Sequence, residues 1–162
     1  MAVPRPEPVV AALRERGLTI ATAESLTGGA LCSALVDVPG ASAVVRGGVV
    51  AYTADMKVRL LGVDPDLIRD HGLVSAEVAE AMARGVREAT GATIGVATTG
   101  VAGPEPHDGA PVGSVHLAVA GPARALRVHR RLTGDRAAVR AGAVEAALAA
   151  VLEALAQDVT EA

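Results

Sequence analysis

The sequence predicts an α/β fold, a three-layer α/β/α sandwich on a mixed β-sheet, and three observations carry that expectation. Segments with helical apolar spacing alternate with short apolar runs as far as Thr99. The last of those runs, Thr93-Ile94-Gly95-Val96-Ala97-Thr98-Thr99, is of the largely apolar kind expected in a sheet covered on both faces. Beyond it, two alternating runs, Val112 to Ala120 and Leu126 to Leu132, flank Gly121-Pro122-Ala123-Arg124, which suits a hairpin loop. A hairpin added to strands that are otherwise joined through helices makes the sheet mixed.

Taken in order, Pro8 suits the first turn of a helix that Val9 to Arg16 continues and Gly17 ends. Leu18-Thr19-Ile20-Ala21-Thr22-Ala23 reads as a buried strand, and Gly28 to Val38 carries apolar residues at helical spacing. Ser25 therefore sits on a strand-to-helix turn. Pro39-Gly40 breaks the chain, and Val44 to Tyr52 reads as a strand interrupted by Gly47-Gly48. Glycines inside a strand mark a bulge or the close approach of another group. Thr53 to Leu61 forms a short helix ended by Gly62, with Pro65 in the connection that follows. Ser75 is placed to cap a helix from Ala76 to Ala89 whose Val78, Ala79, Met82, Ala83 and Val86 share one face. After the strand Thr93–Thr99 come Gly100-Val101-Ala102-Gly103-Pro104 and a polar loop to Ala110. Asp135 caps a last Ala/Leu-rich helix through about Leu155, and the remaining tail is polar.

A chain of 162 residues makes one domain with a sizeable core. Apolar types supply 51% of it, but there is no Phe or Trp and only one Tyr, so the core is built from Val, Ala, Leu and Ile. No uninterrupted apolar stretch reaches the roughly 18 residues of a membrane span, and Met1-Ala2-Val3-Pro4-Arg5-Pro6 lacks the layout of a signal peptide. The expectation is a soluble, cytoplasmic protein. A net charge of −3 with dispersed basic residues argues against nucleic-acid or membrane partners. Cys32 is alone, which excludes an intrachain disulfide, and its apolar helical run makes it a small core residue. The histidines at 71, 107, 116 and 129 share no ligand spacing with it, so no metal site is expected. His71 reads as a surface residue near a helix end. His116 and His129 fall in the hairpin and read as solvent-facing, and His107 lies in the polar loop.

Of the 15 basic residues only Lys57 is not arginine. Arginine keeps its proton in proteins, whereas a lysine can be driven toward neutrality by burial and act as a base. The alternative is chance in an arginine-rich composition. Tyr52, the only aromatic residue, precedes Lys57 by five positions and is either a pocket wall, a proton relay or a filler with a polar tip. Ser25 and Thr27 have two readings. They are N-caps of the following helix, or part of a site where backbone N–H groups hold a reacting oxygen or a phosphate, with Gly28 and Gly29 admitting a ligand to the backbone. Three turns, at Ser25 to Gly29, at Tyr52 to Lys57 and at Thr99 to Gly103, line one crevice if their strands are parallel. A serine activated by a neutral lysine beside backbone donors is an acyl-transfer site. The signatures of dinucleotide-binding, P-loop and α/β-hydrolase sites are missing.

Several runs resemble the CinA C-terminal domain family. They are Thr22-Ala23-Glu24-Ser25-Leu26-Thr27-Gly28-Gly29, Gly47-Gly48-Val49-Val50-Ala51-Tyr52 with Lys57, Leu60-Leu61-Gly62-Val63 and His71-Gly72-Leu73-Val74-Ser75. Thr99-Gly100-Val101-Ala102-Gly103-Pro104, Pro111-Val112-Gly113-Ser114-Val115 and Gly134-Asp135-Arg136-Ala137-Ala138-Val139-Arg140 complete the match. The resemblance implies a nicotinamide-nucleotide amidase of pyridine nucleotide recycling, which turns nicotinamide mononucleotide into nicotinate mononucleotide and ammonia without a cofactor. It implies Ser25 as nucleophile, Lys57 as its base and Tyr52, Thr99 and Arg140 near the substrate. Larger members carry a further N-terminal domain that 162 residues do not accommodate. Two departures stand out. Thr53-Ala54 replaces a Ser-Asn pair, and Glu105-Pro106-His107-Asp108-Gly109-Ala110 replaces a loop with paired glycines and a lysine. Phosphate binding is then either weaker or falls to Arg136, Arg140 and helix-start N–H groups, with Thr27, Gly28, Gly29, Gly100, Ala102 and Gly103 as further substrate contacts. A non-catalytic nucleotide-binding module is the alternative from another class. Apolar faces on the Ala-rich helices lead us to expect a homo-oligomer.

Overall fold

The computed structural model describes residues 5–161, so the reading of Met1 to Pro4 lies outside it. Five strands form one sheet in the order β2-β1-β3-β4-β5: β1 (Ile20–Glu24), β2 (Val45–Val50), β3 (Ile94–Gly100), β4 (Ser114–Ala120) and β5 (Ala125–Arg131). β1 runs parallel to β2 and β3, while β4 is antiparallel to both β3 and β5. The sheet is therefore mixed, as the late hairpin predicted.

On one face lie α1 (Pro6–Glu15), α2 (Ala30–Val36) and α6 (Arg136–Ala156), whose buried residues form a cluster with Ile20, Val96, Val115 and Leu117. The other face carries α3 (Ala54–Leu61), α4 (Pro65–His71) and α5 (Ala76–Thr90), packed on Ala21, Ala23, Ala97 and Ala118. The alanines on this second face let α5 sit close to the strands. These are the three expected layers.

The sequence pattern missed α4, because its Pro65 reads as a breaker but occupies the first helical turn after the Asp64 N-cap. The helix expected from Gly28 begins at Ala30, since Gly28 and Gly29 both have positive φ, 60° and 100°. In β2, the Gly47-Gly48 pair does both things a strand glycine can do. The register with β1 shifts beside Gly47, a bulge, and a Cβ at Gly48 would stand 2.5 Å from Thr22 Oγ1 and 3.0 Å from Cys32 Sγ. β4 starts at Ser114, two residues later than expected, because Pro111, Val112 and Gly113 turn the chain into it.

The apolar surface expected on the Ala-rich α6 is absent, because its Val139, Ala143, Ala147, Leu148, Val151 and Leu155 are buried. Among the described residues, the exposed large apolar ones are instead Val36, Val50, Tyr52 and Leu60. His129 is exposed, as expected, whereas His116 is half-buried. Their rings stack 4.4 Å apart, His129 bonds Ser114 Oγ at 3.1 Å, and His116 Nδ1 is buried without a partner among the described residues. No helix among the described residues is long and apolar enough to cross a membrane.

Candidate active site

β1 sends the chain to β2 on one side of itself and receives β3 on the other, so the carboxyl ends of the three parallel strands open at a topological switch point. The residues that follow these ends meet in a cavity of about 330 Å³. Ser25 and Leu26 follow β1, Tyr52 follows β2, and Gly100 to Pro104 end β3 and leave it. Glu105, Pro106, His107 and Arg136 complete the lining. The crevice expected from three turns is present.

Ser25 follows the last residue of β1, where its N–H bonds Thr98 O at 3.1 Å. Lys57, on α3, lies behind it and is 1% exposed. Lys57 Nζ is 3.0 Å from Ser25 Oγ, 2.8 Å from Ala51 O and 3.2 Å from Tyr52 O. Burial removes hydration from the ammonium and pulls the Lys57 pKa down from 10.5 to about 8. Nζ donates to all three oxygens, and loss of one proton from this ammonium leaves a lone pair facing the Ser25 hydroxyl.

Neither Ser25 nor Thr27 caps α2. The work of a cap is done by Glu24, a buried carboxylate at the end of β1. It accepts from Gly29 N at 3.2 Å, Leu31 N at 2.8 Å, Cys32 N at 3.0 Å and Thr22 Oγ1 at 3.1 Å. This overturns the expectation that helix-start N–H groups hold the substrate phosphate, because an internal anion already occupies that helix end. Glu24 was missed, as was Thr98, whose Oγ1 bonds Thr27 Oγ1 at 2.8 Å. An acid closing an otherwise apolar strand was the available signal for Glu24.

The remaining candidates divide into two groups. Ser25, Tyr52, Gly100, Ala102, Gly103 and Arg136 line the cavity, whereas Thr27, Gly28, Gly29, Thr99 and Arg140 do not. Thr99 Oγ1 donates to Leu73 O at 2.9 Å, and Arg140 donates to Leu26 O at 2.9 Å and Thr27 O at 3.2 Å. Arg140 thus grips the backbone just after the serine. Arg136 donates to Gly103 O and to the Tyr52 hydroxyl, the latter at 3.1 Å. Tyr52 touches Lys57 through its carbonyl and Arg136 through its phenol. The backbone N–H groups of Leu26, Ala102 and Gly103 have no acceptor among the described residues, which leaves donors on cavity-lining segments for a developing oxyanion. Among the described residues no group of three or more His, Cys, Asp or Glu side chains is placed to hold a metal ion.

The model of the CinA C-terminal domain matches residues 4–155. A CinA-like protein of Frankia casuarinae is 50% identical over 148 residues, covering 91% of this chain and 34% of its own length. One from Anaeromyxobacter dehalogenans is 51% identical over 146 residues, covering 88% and 35%. The chain thus spans about a third of the length of these relatives. Among solved structures, a CinA superfamily protein from Klebsiella pneumoniae superposes with a TM-score of 0.91 at 37% identity, over 94% of this chain and 96% of that one. The competence/damage inducible protein CihA from Agrobacterium tumefaciens gives 0.87 at 38% identity, over 94% and 93%.

Proposed function

The chain belongs to the CinA C-terminal domain family, and on that premise we propose that it hydrolyses the carboxamide of a pyridine mononucleotide. The substrate is nicotinamide mononucleotide, and the products are nicotinate mononucleotide and ammonia. The observation that carries this reading is the 3.0 Å contact between Ser25 Oγ and the buried Lys57 Nζ at the wall of a cavity.

Neutral Lys57 takes the Ser25 proton as the hydroxyl oxygen attacks the carboxamide carbon. The carbonyl π electrons move to oxygen, where N–H donors of Leu26, Ala102 or Gly103 stabilise the charge. Collapse breaks the C–N bond, and the Lys57 ammonium returns its proton to the departing nitrogen, which leaves as ammonia. Water then attacks the acyl ester while Lys57 accepts its proton. The second collapse breaks the C–O bond, reprotonates Ser25 and frees the acid. Arg136 is the substrate-binding cation, and Arg140 fixes the carbonyls after the nucleophile. We assign the reaction to recycling of pyridine nucleotides in the cytoplasm.

Incubating the purified protein with nicotinamide mononucleotide and measuring ammonia tests the assignment. Release that Ser25→Ala abolishes, with the circular dichroism spectrum retained, is the expected result. Binding without ammonia release by the unmodified chain would favour the non-catalytic nucleotide module instead, a reading to which the replacement of Ser-Asn by Thr53-Ala54 lends weight.

A further inference from the structure

The cavity wall contributed by the loop after β3 carries a charge that the hydrolysis does not use. Among the residues that line the cavity, Glu105 is the one carboxylate and Arg136 the one permanent cation. The loop is a built wall. His107 and Ala110 exchange backbone hydrogen bonds at 3.1 and 2.9 Å, and Asp108 accepts from Leu73 N. Leu73 O is in turn held by Thr99 Oγ1, and Gly103 O by Arg136.

Other charges that would alter the balance are engaged outside the lining. Arg140 grips Leu26 and Thr27, Lys57 is buried behind Ser25, and Glu24 occupies the α2 N-terminus. The cavity therefore offers one fixed positive and one fixed negative charge in about 330 Å³. A ligand with several phosphates would bring more negative charge than one guanidinium can offset beside a carboxylate. The matching ligand is a zwitterion with one phosphate and one cationic ring.

We propose that Glu105 is a specificity-determining residue that selects a mononucleotide with a cationic pyridinium ring over the same mononucleotide with a reduced, uncharged ring. The inference rests on the reading of this site as a mononucleotide amidase. Hydrolysis places a carboxylate on that ring, so Glu105 attracts the substrate and disfavours the product. Because Glu105 is exposed, its attraction is of the size of a solvated charge pair, about fivefold in affinity, and salt weakens it.

The test uses Ser25→Ala, which removes turnover, with and without Glu105→Gln. Each protein is titrated calorimetrically with nicotinamide mononucleotide and with its dihydro form. The expected result is about fivefold tighter binding of the cationic form by Ser25→Ala, and no preference in the double variant. An equal ratio in the two proteins overturns the proposal, as does equal weakening of both ligands or binding of neither. Ammonia release by the unmodified chain is scored separately. Release with an unchanged ratio sinks the role of Glu105 alone, and a lost preference without release sinks the amidase reading alone.

Discussion

A lysine that is 1% exposed lacks the hydration its ammonium form needs, and Lys57 is held there by the Ala51 and Tyr52 carbonyls. Its pKa of about 8 lies below the ordinary 10.5, so between those values the unfolded chain binds more protons than the native one. Stability then rises with pH across that window. Relative to Lys57→Met, which does not titrate there, the unfolding free energy of the unmodified chain is expected to climb by roughly 3 kcal/mol as pH rises through it. Urea midpoints measure this, and a flat difference would mean that the amine is not desolvated. The two arginines of α6 separate by role. Arg136 lines the cavity, so Arg136→Ala is expected to raise KM about tenfold or more. Arg140 bonds the backbone after Ser25, so Arg140→Ala is expected to lower kcat with little change in KM. The reverse pattern in steady-state kinetics would exchange those roles. Ser25 and Lys57 were legible in the sequence because one follows a strand and the other breaks the arginine usage. Their contact was not, since 32 positions separate them and only the strand order closes that distance.

At the scale of elements, α2 depends on Glu24 more than on its own sequence. It has seven residues, its N-cap is Gly29, and no side chain of the cap residue bonds its first turn. The Glu24 carboxylate supplies those acceptors from β1, and in doing so closes the turn that contains Ser25. Glu24→Gln replaces one acceptor oxygen with a donor aimed at donors, a loss of about 1–3 kcal/mol in denaturant unfolding. Unchanged stability would mean that the helix end is satisfied by water. The long periodic elements, α5 and α6, were readable from their caps and spacing, with Ser75 bonding Val78 N and Asp135 bonding Ala138 N. α4 was not, because a seven-residue helix with no buried residue has no apolar stripe to detect.

At the scale of the whole molecule, the candidate site follows from connectivity. Parallel strands β1, β2 and β3 bring three loops to one end of the sheet, and the antiparallel hairpin β4–β5 extends the sheet away from it. The layer architecture was legible because helix and strand periods alternate. Strand order was not, because β1 lies in the interior of the sheet only through pairings between residues more than 70 positions apart. That order places the end of β3 beside Ser25, through Thr98, and so brings the Glu105 loop to the cavity. A family-level motif locates Ser25, whereas the fold decides what surrounds it. The dependence of kcat on pH with nicotinamide mononucleotide tests the central claim, that a desolvated Lys57 is the base. The expected result is a rise of about tenfold per unit toward a plateau, with an apparent pKa near 8, that Lys57→Arg abolishes. A rate that is flat through that pKa, or a profile that survives Lys57→Arg, would contradict it.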